Sequence, residues 1–254
     1  MAITLANLQR KNERKPPRII VHGPRGVGKT TLLASLPEPV LVQVEDGLGK
    51  IDIPHFPLAK SFSDVQEAIG AAVDAGEFKT IILDSLDHFE ALVWAEACKR
   101  NGASSIEDVG GGYGRGYLEA DKVWREFMDL VNSARNDADM IVAMTAHSDV
   151  RTFKDPEGAA YDRYEMKLHK RANAFLQEKA DLILFANFDT ATSEIKEGSQ
   201  KRAVGRGGQT RSLYSEHRAA FDAKNRYDLP PKVALVKPFD WSQYAEAFPT
   251  SYFN

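Results

Sequence analysis

The sequence predicts an α/β protein: a mostly parallel, twisted sheet flanked by helices, with a C-terminal β-hairpin extension. Three observations carry that expectation. Short apolar, β-branched runs alternate with segments of helical length, the pattern of a parallel sheet covered on both faces. A glycine-rich stretch, Gly23-Pro24-Arg25-Gly26-Val27-Gly28-Lys29-Thr30, joins an apolar run (Ile19-Ile20-Val21) to a helical one (Thr31-Leu32-Leu33-Ala34). A later apolar run, Thr80-Ile81-Ile82-Leu83-Asp84, ends in an acid.

In chain order, residues 1–17 are polar and basic (Arg10, Lys11, Arg14, Lys15) and end in Pro16-Pro17. They read as a leader segment with a short element at Ile3–Leu8. Strands are expected at Arg18–His22, Val40–Val44, Thr80–Asp84, Met140–Thr145 and Leu182–Phe188. Helices are expected between them, at about 30–37, 63–75, 86–101, 116–136 and 167–178. Gly110–Tyr117, His147 to Tyr164, and Lys196–Arg211 read as loops, the last as a hairpin tip. An aromatic tail closes the chain, with Phe239, Trp241, Tyr244, Phe248, Tyr252 and Phe253. The organisation expected is therefore a leader (1–17), a core (18–236) and a tail (237–254). The tail is suited to pack on its own sheet, on another subunit or on a partner such as a single-strand DNA-binding protein.

A chain of 254 residues suits one α/β domain, with or without a small appendage. The net charge of −3 excludes a binder that works by overall basicity, so any nucleic-acid surface must be local. Cys98 is the single cysteine, which rules out an intrachain disulfide and a cysteine-built zinc site and fits a reducing, cytoplasmic setting. Cys98 shares a helical segment with Trp94 and reads as a packing residue. The N-terminus lacks the apolar stretch of a signal peptide, and no run reaches membrane-spanning length.

The stretch Gly23–Thr30 matches G-x-x-x-x-G-K-[ST], the phosphate-binding P-loop, in the strand–loop–helix setting that motif requires. Its glycines let backbone N–H groups turn inward around phosphate oxygens, and the helix start at Thr30-Thr31 adds its positive dipole end. Lys29 would reach the β- and γ-phosphates of ATP, and the Thr30 hydroxyl would ligate Mg²⁺. Asp84, expected on a neighbouring strand, would hold the same Mg²⁺ through water. Hydrolysis also needs a group that orients or deprotonates water. The strand Val40–Val44, taken to lie beside the P-loop strand, ends in Glu45-Asp46. Glu45 is the candidate base, with Asp46 the alternative if the register differs. The strand ending in Met144-Thr145-Ala146-His147 offers His147 as a group that touches the γ-phosphate and reports it to the next loop.

This order of parts resembles a RecA-like P-loop NTPase core over roughly residues 18–236, and specifically the small phage Sak-type single-strand annealing proteins. In that family the P-loop strand is followed by a strand ending in a catalytic glutamate, here Val44-Glu45-Asp46-Gly47-Leu48. The magnesium strand matches Ile81-Ile82-Leu83-Asp84-Ser85. The resemblance implies two mobile DNA loops, at Gly110–Tyr117 and at 148–178, and a polar sensor at His147. It also implies a Lys-Asn-Lys-like element at Lys224-Asn225-Arg226 that reaches ATP across a subunit interface. Lys224 and Arg226 would then act in trans, and the protein would assemble as a ring or filament. Two features depart from the pattern: the leader is shorter than a full packing domain, and a histidine stands where the bacterial recombinase has an amide.

Single-strand binding combines cations for phosphates with aromatic or guanidinium faces for bases. Tyr113, Arg115 and Tyr117 offer these in the first loop, and Arg151, Lys154, Arg163, Tyr164, Lys167 and Lys170-Arg171 in the second. Lys201, Arg202, Arg206 and Arg211 add charge at the hairpin. Such runs also serve as solvated faces, and Lys224 and Arg226 also have Asp222 and Asp228 nearby in sequence. The leading reading is thus a DNA-dependent ATPase acting in annealing or recombination. A nucleotide-gated assembly module with little hydrolysis, and a nucleotide kinase with a basic lid, stay open at this point.

Overall fold

The protein is described from a computed structural model covering residues 14–197 and 200–252, with side chains for all of these but 190–209. The sheet is built around β1 (Arg18–Gly23), whose neighbours are β4 (Ile141–Phe153) and β6 (Leu182–Glu197), both parallel to it. Beyond β4 come β3 (Thr80–Asp84) and β2 (Pro39–Gln43), again parallel. Beyond β6 the sheet turns antiparallel through β7 (Gln200–Tyr214) and β9 (Lys232–Ala234). Two short strands pair off this path: β5 (Tyr161–Met166) on β4 and β8 (Lys224–Asn225) on β6.

Both faces of the parallel part are buried, and residue by residue the strands alternate between two cores. Ile20, Val42, Ile81, Leu83, Val142 and Met144 face one core, which is closed by α2 (Phe62–Ala75), α3 (Leu86–Asn101), α4 (Arg115–Asp137) and α5 (Lys170–Lys179). Ile19, Val21, Leu41, Ile82 and Ala143 face the other, which is closed by α1 (Lys29–Leu33) and by Phe239, Trp241, Tyr244 and Phe248 of the tail. Local signals set the helix ends. Ser61 and Asp64 form a reciprocal capping box at the start of α2, and Gly76 ends it in the left-handed region (φ 67°). Among the described residues, no helix is long and apolar enough to cross a membrane.

The expected strand and helix positions recur within a few residues, but the order of strands corrects two expectations. The Asp84 strand is not adjacent to the P-loop strand, because β4 lies between them. The Glu45 strand is not beside β1 either: β2 is the far edge, with β3 and β4 intervening. The segment after His147 is also not a loop. β4 runs on to Phe153 and returns as β5, pairing Ser148 with Met166 through Phe153 with Tyr161, because Val150, Phe153, Tyr161 and Tyr164 give it strand-forming side chains. Lys196–Arg211 is not a loop at a hairpin tip: β6 runs on to Glu197 and β7 begins at Gln200, opposite it, so the hairpin exists but its paired arms take in most of that segment. The Ile3–Leu8 element and Phe253 lie outside the described residues, as do the side chains of Lys201, Arg202 and Arg206. The tail packs on α1, where the Trp241 indole N–H donates to Ser35 Oγ at 3.0 Å.

His22, on β1 just before the P-loop, is fully buried, with ring nitrogens 2.9 Å from Ser148 Oγ and 2.7 Å from the Asp222 carbonyl oxygen. Burial, reinforced by the Lys29 charge, lowers its pKa from 6.5 to about 3. Between those values the unfolded chain takes up a proton that the folded chain refuses, so stability falls as pH drops below 6.5. At pH 5 the loss amounts to about 2 kcal/mol. Urea unfolding at pH 7.5 and pH 5 should show the wild type losing about 2 kcal/mol more over that interval than His22→Asn. Equal losses in the two proteins would contradict it.

Candidate nucleotide site

The carboxyl ends of β1, β3 and β4 open on the same side of the sheet, where open α/β sheets bind ligands. β1 delivers the chain into the loop Pro24–Gly28, and α1 starts at Lys29. Two glycines are needed for spacing. A Cβ at Gly23 would lie 2.1 Å from the Ala186 carbonyl oxygen on β6, and one at Gly28, where φ is 100°, would lie 2.9 Å from the Arg211 guanidinium. Arg25 and Gly26 are exposed at the loop tip, while Val27 is wholly buried and anchors it to the core.

Lys29 is buried, and its ammonium donates to the carbonyl oxygens of Gly23 and Pro24, each at 3.1 Å. Burial lowers its pKa, and the nearby carboxylates Asp84, Asp87 and Glu45 work against that shift. The Thr30 hydroxyl donates to Asp84 Oδ2 at 2.7 Å. The other oxygen, Oδ1, accepts from the Thr145 hydroxyl of β4. A hydroxyl and a carboxylate held together beside a phosphate-binding loop are a donor set suited to Mg²⁺. Thr145 therefore bridges the strands of the two motifs, a role sequence reasoning missed. The signal was present: in Met144-Thr145-Ala146-His147, Thr145 is the polar residue whose strand register, opposite Val21, sets it level with the end of β1.

Glu45 reaches the site from the edge strand because the chain turns inward after β2. The amides of Val44 and Glu45 donate to the Asp84 carbonyl at 2.8 and 3.2 Å. The Glu45 carboxylate then accepts from Ser85 Oγ at 3.2 Å and lies 3.2 Å from His88 Nδ1. Ser85 Oγ is also 2.8 Å from His88 Nδ1. Asp46 is exposed. His147 stands opposite Gly23 in the β1–β4 register. Its Nδ1 is 2.9 Å from Asp87 Oδ2, and its backbone amide donates to Asp87 Oδ1 at 3.0 Å. Burial of Asp87 works the other way, but these bonds from His147 hold its carboxyl well below the usual range. Asp87 and His88 follow directly on the Asp84-Ser85 strand end, and one helical turn carries both into the site. Glu45, His88 and His147 each offer a ligand atom within 4.8 Å of the others, a mixed nitrogen and oxygen set of the kind that transition metals take.

The remaining sequence candidates divide. Tyr113 is fully exposed, and Arg115 begins α4 with its guanidinium donating to the Gly110 carbonyl at 2.9 Å. Tyr117 stacks on His169 at 4.1 Å and bonds to Glu107. Arg151 donates to the Leu168 carbonyl at 2.9 Å, and Lys154 is exposed on the β4–β5 hairpin. Arg163 is a correction: it is buried, paired with Asp222 and set over the Phe153 ring at 5.0 Å, so it faces the protein and not a polymer. Lys224 and Arg226 lie at the opposite end of the sheet from their own P-loop, because Asn225 pairs with Leu182 at the start of β6. Lys224 donates to the Gln177 and Glu178 carbonyls at 2.6 and 3.0 Å. Arg226 bonds to Asp181 at 3.0 Å, in place of the Asp222 and Asp228 partners weighed from sequence.

Comparison with known proteins agrees with this geometry. A family model described as an AAA domain matches residues 15–227. The SPbeta prophage-derived uncharacterized protein YorG of Bacillus subtilis (strain 168) is 23% identical over 183 residues, which is 70% of this chain and 53% of that protein. The chain thus spans about half the length of that curated relative. With the P-loop, its helix and the Asp84 strand all inside the matched region, the chain belongs to the AAA domain family of P-loop ATPase-like proteins.

Proposed function

We propose that the protein binds ATP with Mg²⁺, hydrolyses it, and uses the nucleotide state to control its grip on single-stranded DNA during phage-type annealing or recombination. The observation that carries the hydrolytic reading is the convergence of Lys29, Thr30, Asp84, Thr145 and Glu45 at one end of the sheet. On binding, Lys29 exchanges the Gly23 and Pro24 carbonyls for β- and γ-phosphate oxygens. Thr30 and Asp84 would hold Mg²⁺, which supplies charge neutralisation on those phosphates. Glu45, braced by Ser85 and His88, orients and deprotonates the attacking water. His147, fixed by Asp87, faces the phosphate end and joins it to the hairpin that follows.

Two supports favour DNA as the polymer. The first is that the two candidate segments meet: Tyr117 stacks on His169, Arg151 bonds to the adjacent Leu168, and the Lys167 amide donates to the His147 carbonyl at 2.8 Å. Tyr113, Arg115 and Lys154 remain exposed around them. The second is the prophage origin of the relative together with the Sak-type resemblance. The placement of Lys224 and Arg226 away from their own P-loop suits a head-to-tail ring or filament in which they meet a neighbour's ATP.

ATP turnover measured with and without single-stranded DNA at low salt tests the reading. Stimulated release of free phosphate is expected. Failure to bind single strands, with no stimulation, would overturn the DNA reading, and a new phosphoester product would make the protein a kinase.

A further inference from the structure

Beside the P-loop, on the α1 face of the sheet, lies a cavity of about 230 Å³. Gly28, Thr31, Arg211, Leu235, Pro238 and Phe239 are among the residues that line it. From this geometry we infer that the cavity is the nucleoside subsite, and that the segment Leu235–Phe239 holds the base of the bound nucleotide. The inference rests on the ATP-binding reading above and adds the means by which a nucleotide is told from a bare polyphosphate.

Position is the first argument. Gly28 and Thr31 belong to both the phosphate loop and the cavity wall, so a nucleotide whose phosphates follow Gly23–Thr30 must carry its sugar and base out past Thr31. Size is the second: about 230 Å³ is smaller than the ~300–1,000 Å³ of sites that enclose a whole drug-sized ligand, and suits one end of a nucleotide. Chemistry is the third. Leu235, Pro238 and Phe239 give apolar surface for a flat ring, while the Thr31 hydroxyl and the Arg211 guanidinium give polar contacts at its edge. Arg211 is fixed, since its Nη1 donates to the Val27 carbonyl at 3.0 Å. That bond sets the cation against the Val27-Gly28 end of the phosphate loop, and its guanidinium offers a planar face on which a base can stack. The apolar wall lies beyond residues 15–227, which the family model matches, so this subsite belongs to the chain's own C-terminal segment.

Val236 lines the cavity and is 55% exposed, so it can be changed without disturbing the core. Calorimetric titration of the full chain with ATP and with inorganic tripolyphosphate, each with Mg²⁺, tests the inference. The wild type should bind ATP at least about tenfold more tightly than tripolyphosphate. Val236→Trp, which fills the cavity, should weaken ATP about tenfold and leave tripolyphosphate unchanged. Val236→Phe, a smaller filling of the cavity, should weaken ATP less and likewise leave tripolyphosphate unchanged. Equal affinities in the wild type, or variants that weaken both ligands alike or neither, would overturn the subsite. A wild type that binds neither ligand would instead bring down the nucleotide reading on which it rests.

Discussion

Lys29→Ala should lose ATP hydrolysis by at least about 100-fold, the scale of removing one preorganised charge from a phosphoryl-transfer site. The side chain is already inside the loop, held by the Gly23 and Pro24 carbonyls. It therefore needs only to change partners when phosphate arrives, and little ordering cost accompanies the exchange. Alanine leaves the phosphates without that cation, at a partly buried position where charge interactions are stronger than in bulk water. The apo fold should change little, because the ammonium that is removed is one whose charge burial disfavours. Thermal melts separate the two effects. Saturating ATP at a hundredfold its Kd should stabilise the wild type by about 2.7 kcal/mol, a rise of roughly 5–10 °C for a chain of this size. The variant should show no rise. Unchanged turnover would remove the central assignment.

Glu45→Gln should separate binding from chemistry. The amide keeps the shape of the side chain and can still accept from Ser85 Oγ, but it cannot take a proton from water. Turnover should fall by about 10²–10⁴-fold, the usual contribution of a positioned general base. The ATP-dependent rise in melting temperature should persist. Single-turnover hydrolysis and melts on the same preparation check both halves. Normal turnover in Glu45→Gln, with loss in Asp46→Asn, would move the base by one residue.

Much of this was legible in the sequence because the relevant signals are local. Gly23–Thr30 specifies its own loop, since spacing, glycines and the flanking strand and helix all lie within about a dozen residues. Asp84 is visible as the acid that ends an apolar strand. What could not be read is how strands are ordered across the sheet. β4 is made some sixty residues after β3 yet inserts between β3 and β1, and no local feature of Ile141–Ala146 says so. For that reason Thr145 went unseen, and Glu45 comes to the Asp84 strand end from the edge of the sheet and not from a strand beside β1. Arg163 shows the same limit from another side. A basic residue in a polar stretch looks solvated until Asp222, far along the chain, is found against it. Arg211 was grouped with the hairpin charges, although it is the one whose guanidinium returns to the P-loop.

The packing of the tail on α1 bears on how the site is made. α1 has five residues, too few to hold a helix unaided, and part of what covers it arrives more than two hundred residues later, as the Ser35–Trp241 bond illustrates. The phosphate loop is made well before the residues that cover its helix. The aromatic cover of its helix has to wait until residues near 248 have left the ribosome. Until then the α1 side of the core, which Phe239, Trp241, Tyr244 and Phe248 close, stays open.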